Sequence, residues 1–235
     1  MLRLVISMLL VASAGAAPVP APSEKELIAT HWGKTEGRGE FSLAGKQLTL
    51  RTVGRPARGM LHAERMDMPR AARTLRGDFE ATVKVLDAAL PNKDAKHEDA
   101  WPGTRAGLFV AGGGYGVEFH LYQYYSKFKG AQNAEPTRCV WVDAWFPGGG
   151  AGSSLKNAED GRSTWLRVAR KEKVVSVSYS FDGTEWSEPL VPRQGLDFPD
   201  EVTVGVFFAH STYQALAATF DAFTVEKPKG ANEKK

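Results

Sequence analysis

Beyond about residue 23 the chain alternates short apolar-rich runs with clusters of Gly, Pro, Asp and Asn, and sustains no long helical period. The pattern predicts strands over 47–53, 77–86, 105–111, 115–125, 139–146, 164–170, 174–181, 202–210 and 215–226. Connections such as Gly112-Gly113-Gly114 and Phe181-Asp182-Gly183-Thr184 hold residues suited to tight turns, so neighbouring runs are expected to form antiparallel hairpins packed as two sheets. No block recurs at a fixed period, which argues against a propeller or solenoid. The predicted class is all-β.

The first residues follow a different logic. Arg3, the apolar run 4–12 and the small residues Ala14-Gly15-Ala16 form the three parts of a secretory signal peptide, expected at 1–16 with cleavage ahead of Ala17. The run is too short for a membrane anchor, which takes roughly 20 apolar residues. The expected product is secreted, periplasmic or extracellular, with no membrane span. Segment 17–35, which begins APVPAP, is expected as a Pro-rich linker and N-terminal segment, 36–226 as the sandwich and 227–235 as a basic disordered tail.

Composition narrows the picture further. A single cysteine, Cys139, allows no intramolecular disulfide, so the stability of an exported domain has to come from apolar burial. The net charge of +3 arises from scattered, mixed charges. No basic stripe interleaved with aromatics marks a nucleic-acid partner.

Several motifs carry a resemblance. Trp165-Leu166-Arg167-Val168 is followed by Ser180-Phe181-Asp182-Gly183-Thr184-Glu185-Trp186, then by Val204-Gly205-Val206-Phe207-Phe208-Ala209 and Phe220-Asp221-Ala222-Phe223. Upstream stand Gly77-Asp78-Phe79-Glu80 and Arg105-Ala106-Gly107-Leu108. In order and spacing these resemble the concanavalin A-like lectin/glucanase superfamily, and most closely a secreted bacterial subgroup with no assigned activity. The resemblance implies a two-sheet antiparallel jelly-roll sandwich and no particular chemistry. Asp182-Gly183 is read as turn chemistry, and Trp165 and Trp186 as core fillers.

Two strands have an unusual second face. In 115–124, Val117, Phe119 and Leu121 suit a core, while Glu118, His120, Tyr122 and Tyr124 point the other way. In 139–146, Val140, Val142, Ala144 and Phe146 suit the core and leave Trp141, Asp143 and Trp145 opposite. Flat aromatics beside carboxylates and imidazole can stack on a sugar ring and bond its hydroxyls. Glu118, His120, Tyr122, Tyr124, Trp141, Asp143 and Trp145 are therefore the ligand-binding candidates, for a glycan or polysaccharide. Gln123, Lys127, His97, Glu98 and Trp101 are candidates for a rim. The plainer alternative is cross-strand aromatic pairing that serves only the sheet.

Catalysis is a second possibility, with Glu118 and Asp143 as the carboxylate pair of a glycoside hydrolase or lyase. The E-x-D-x-x-E strand motif of laminarinase-like glucanases is missing from the chain, so their catalytic residues cannot be carried over. A protein-docking face in the cell envelope is a third. No cofactor is called for, and no metal: Asp182-Gly183 and His97-Glu98-Asp99 lack the ligand number or spacing of known sites. Gly33-Lys34-Thr35 has Ile28 where a phosphate loop needs its leading glycine, and segment 148–154 holds no nucleophile elbow and is expected as a mobile loop.

Overall fold

The computed structural model describes residues 21–59, 67–99, 102–125, 135–158 and 162–227. The expected signal peptide, Trp101, Lys127 and 228–235 lie outside the described residues. Among the described residues no helix is long and apolar enough to cross a membrane.

The chain enters through helix α1 (Glu24–His31), within the segment where the pattern predicts no element. A reciprocal capping box starts it: Glu26 N–H donates to the Ser23 hydroxyl at 3.4 Å, and Ser23 N–H donates to the Glu26 carboxylate at 2.7 Å. Two turns with one buried residue, Ile28, are too few to show a period. Trp32, directly after the helix, is buried and stacks on Phe223 at 5.6 Å, which fastens the N-terminal segment to the sandwich.

Thirteen strands follow among the described residues: β1 (Lys34–Glu36), β2 (Glu40–Ala44), β3 (Gln47–Arg51), β4 (Arg70–Arg76), β5 (Phe79–Ala88), β6 (Gly103–Gly112), β7 (Tyr115–Tyr124), β8 (Thr137–Phe146), β9 (Gly149–Asn157), β10 (Thr164–Lys171), β11 (Val174–Ser180), β12 (Glu201–His210) and β13 (Ala217–Glu226). They form a seven-stranded sheet, β1-β4-β12-β6-β7-β8-β9, and a six-stranded sheet, β11-β10-β5-β13-β3-β2, with every pairing antiparallel. The main core lies between them. Val83, Val85, Leu166 and Phe220 of one sheet meet Leu108, Phe119, Val142 and Phe208 of the other.

Four strands escape the pattern. β1 and β2 are short, and β4 carries Arg70, Arg73 and Arg76 among its seven residues. β9, expected as a mobile loop, instead pairs with β8 from Phe146↔Gly149 to Cys139↔Asn157. Its sequence GGAGSSLKN is almost wholly exposed and forms the sheet edge, so no apolar alternation is required of it.

Trp165 and Trp186 do not fill the core. Both sit half-buried on the outside of the six-stranded sheet, where Trp165 packs beside Gly183 and Lys84 and Trp186 lies under the Arg167 guanidinium at 3.6 Å. The core positions of β10 are Leu166 and Val168, the alternate ones. Asp182 organises the turn as expected: its Oδ1 accepts from the N–H groups of Thr184 and Glu185 and from the Ser180 hydroxyl at 2.7–2.9 Å, which holds its carboxyl below the ordinary carboxylate range.

Candidate functional site

The outer face of the seven-stranded sheet is built in rows by strand register. One row runs Phe109, Glu118, Asp143, Gly152 across β6, β7, β8 and β9; the next runs Gly107, His120, Trp141, Ser154; the next, Arg105, Tyr122, Cys139. All seven predicted ligand-binding residues stand on this face, because alternation puts Val117, Phe119, Leu121, Val140 and Val142 on the other.

The rows differ in what covers them. Trp145 joins Phe109, Phe207 and Ala72 in a second apolar cluster, closed over by Ala57 and Met68. Segment 55–59 is tied down as a cover: Ala57 and His210 exchange two backbone hydrogen bonds at 2.9 and 3.0 Å, and Arg58 N–H donates to Asp67 at 2.9 Å. The Arg58 guanidinium is bonded to Glu98, whose other oxygen accepts from the Tyr213 hydroxyl at 2.7 Å. A side chain at Gly59 would begin 2.6 Å from the Glu118 carboxylate, so the backbone of the cover lies directly on that acid.

Glu118 and His120 are therefore 0% exposed and Asp143 5%. Together with Trp145 they are out of reach of a ligand resting on the surface. Tyr122, Tyr124 and Trp141 remain half-buried at the open end of the face. There Tyr122 stacks on Tyr124 at 4.6 Å, meets Trp141 edge-on at 5.7 Å and lies under the Arg105 guanidinium at 5.5 Å. The adjoining cleft is lined by Arg58, Glu98, Asp99, Arg105, Tyr122 and Ser211, among others, and its enclosed volume of about 20 Å³ has room for water but not for a sugar ring. A sugar would have to lie across its mouth.

The electrostatics follow from burial. The His120 imidazole is held well below its ordinary pKa, first by burial and then by the charge of Arg105, so it is neutral. Its Nε2 lies 3.9 Å from Asp143 Oδ2, beyond hydrogen-bond reach, and neither ring nitrogen has a hydrogen-bond partner. Burial pushes the Asp143 carboxyl up, against the opposing effects of the Trp141 indole N–H, which donates at 2.9 Å, and of Arg105. For Arg105 burial alone would lower the pKa, but Glu118, Tyr122, Asp143 and Asp99 outweigh it and hold the guanidinium charged. Burial raises the pKa of the Cys139 thiol, which lies buried on the outer face of this sheet.

Arg105, Arg58 and Gly59 are site residues that the pattern of aromatics does not reveal. Only Arg105 leaves a trace in the sequence, as a charge at the strand position alternate to Ala106, Leu108 and Val110. Of the expected rim, Glu98 lines the cleft. His97 bonds to the Asp99 carbonyl and pairs with Thr212, whereas Gln123 turns away and donates to the Ala88 carbonyl at 2.6 Å.

With this geometry in view, known structures place the fold. A functionally unknown protein from Saccharomyces cerevisiae is similar with a TM-score of 0.59 at 16% identity, covering 84% of this chain and 97% of that one. The fold is a two-sheet antiparallel β-sandwich. More distant likenesses include xylan beta-1,4-xylosidase from Bacillus halodurans (TM-score 0.48, 13% identity, 92% of this chain and 41% of that one) and a legume lectin-like domain from Entamoeba histolytica (0.45, 10%, 91% and 100%). This chain thus matches about two fifths of the xylosidase. No family model matches the chain, and no curated protein matches it in sequence.

Proposed function

We propose that this β-sandwich is an exported carbohydrate-recognition protein that binds a glycan across the Tyr122, Tyr124 and Trp141 end of its seven-stranded sheet. The observation that carries the reading is the half-buried aromatic cluster with a charged rim beside it: flat rings for the C–H face of a sugar, and Arg105, Glu98 and Asp99 as partners for its hydroxyls. Glu118, His120 and Asp143 sit in the layer beneath and shape the platform without touching the ligand. Their burial favours binding over hydrolysis, since the backbone at Gly59 lies on the Glu118 carboxylate and Asp143 is only 5% exposed. Export rests on the charge, apolar run and small residues of 1–16.

The test is binding to a broad polysaccharide and glycan array, with a Tyr122→Ala/Trp141→Ala double variant alongside. The expected result is binding by the wild type that is lost in the folded variant. Absence of binding to any sugar, or equal binding by both proteins, overturns the reading. Binding to a protein partner that excess sugar does not displace would point instead to envelope docking.

A further inference from the structure

We infer that Glu118, His120 and Asp143 form a binding site for a divalent transition-metal ion of the zinc type, beneath the 55–59 cover. The sequence carries no metal motif because the ligands come from two strands: Glu118 and His120 are two residues apart on β7, and Asp143 is the cross-strand partner of Glu118 on β8. Register alone assembles them on one face.

Two independent observations point to a ligand. One oxygen of each carboxylate and one nitrogen of the imidazole lie within 4.8 Å of one another, so closing in by less than about 1 Å would bring each to the roughly 2.0–2.2 Å of zinc coordination. Separately, His120 is wholly buried beside the two carboxylates, and both of its ring nitrogens lack a hydrogen-bond partner. Buried imidazoles ordinarily bond through at least one nitrogen, and a metal would satisfy Nε2.

The donor set selects the ion. Three protein ligands including a nitrogen suit zinc or a neighbouring transition ion, with water in the fourth position. Calcium, which takes six to eight oxygens, is poorly served. Two carboxylates balance a dication; the Arg105 guanidinium beside them, held charged first by Glu118, also lies over Tyr122 and bonds to Asp99 at 3.5 Å. The inference stands whether or not the aromatic platform binds a sugar.

The experiment uses the full chain, stripped with chelator, and Zn²⁺ alone as probe. The expected result is uptake of one Zn²⁺ per chain with a rise in Tm, and with Co²⁺ in its place visible bands of low-symmetry coordination. His120→Gln and Asp143→Asn are expected to weaken uptake by at least about tenfold. His97→Ala, in the exposed His97-Glu98-Asp99 cluster, is expected to leave it unchanged. No uptake by the wild type overturns the inference, as does uptake that survives both His120→Gln and Asp143→Asn or disappears with His97→Ala. If either buried-site variant fails to fold, the wild-type Co²⁺ spectrum decides: an octahedral aquo-ion spectrum overturns the proposal.

Discussion

The indole N–H of Trp141 donates to Oδ1 of Asp143 at 2.9 Å, although the two side chains leave the same strand two residues apart. The bond is possible because the neighbouring strand leaves space: a Cβ at Gly152 would stand 2.1 Å from Asp143 Oδ1 and 2.9 Å from the Trp141 nitrogen. Edge strand β9, with little apolar content of its own, thus shapes the candidate site by what it omits.

Gly152→Ala should push the Asp143 carboxylate aside and break its bond to Trp141. The expected cost is about 1–3 kcal/mol of stability, seen as a lower urea midpoint, with a change in Trp fluorescence. Gly149→Ala, on the same strand against only the Phe146 ring at 3.2 Å, is the control and should cost less. Equal effects of the two would show that the close approach at Gly152 has no special weight.

Asp143→Asn keeps an acceptor for Trp141 and removes a charge that burial disfavours. Because the carboxyl pKa is raised in the fold, the ionised form is the less stable one there, and the neutral isostere should be at least as stable as the wild type near pH 7 in chelator. Urea unfolding measures it. A loss of more than about 1 kcal/mol would mean that the carboxylate's bonds outweigh its desolvation.

Acid should weaken the protein as the pH falls through the histidine range. Burial holds His210 down to about 4, and His120 well below 6.5, whereas both titrate near 6.5 when unfolded. Between those values the unfolded chain takes up protons that the fold refuses, so stability is full above about pH 6.5 and falls as the pH drops toward 4. His210 alone contributes on the order of 3 kcal/mol across that window. Urea midpoints at pH 7.5 and 4.5 should differ accordingly, and His210→Asn should reduce the difference; matching midpoints in the wild type would refute the account.

Trp32→Ala and Trp186→Ala should separate core from surface. Trp32 is buried and stacked on Phe223, so its loss should cost about 3–5 kcal/mol. Trp186 lies half-buried under Arg167, where the cation–π contact is worth only about 0.5–1 kcal/mol. Comparable losses in thermal unfolding would contradict the placement of one or the other.

Alternation along the chain was enough to determine the all-β class, most strands and the face on which each candidate side chain stands. The reason is that side-chain direction in a strand depends on position parity alone, so Glu118 and His120 had to oppose Phe119 whatever lay around them. Cross-strand facts were not legible. That Glu118 meets Asp143, that Gly152 yields to both Asp143 and Trp141, and that β9 is a strand at all depend on register between segments distant in sequence. Exposure was hidden for the same reason. Whether an outward-facing carboxylate meets water or the backbone of Gly59 depends on a segment about sixty residues upstream, folded over the sheet by backbone bonds between Ala57 and His210 that no side-chain pattern encodes.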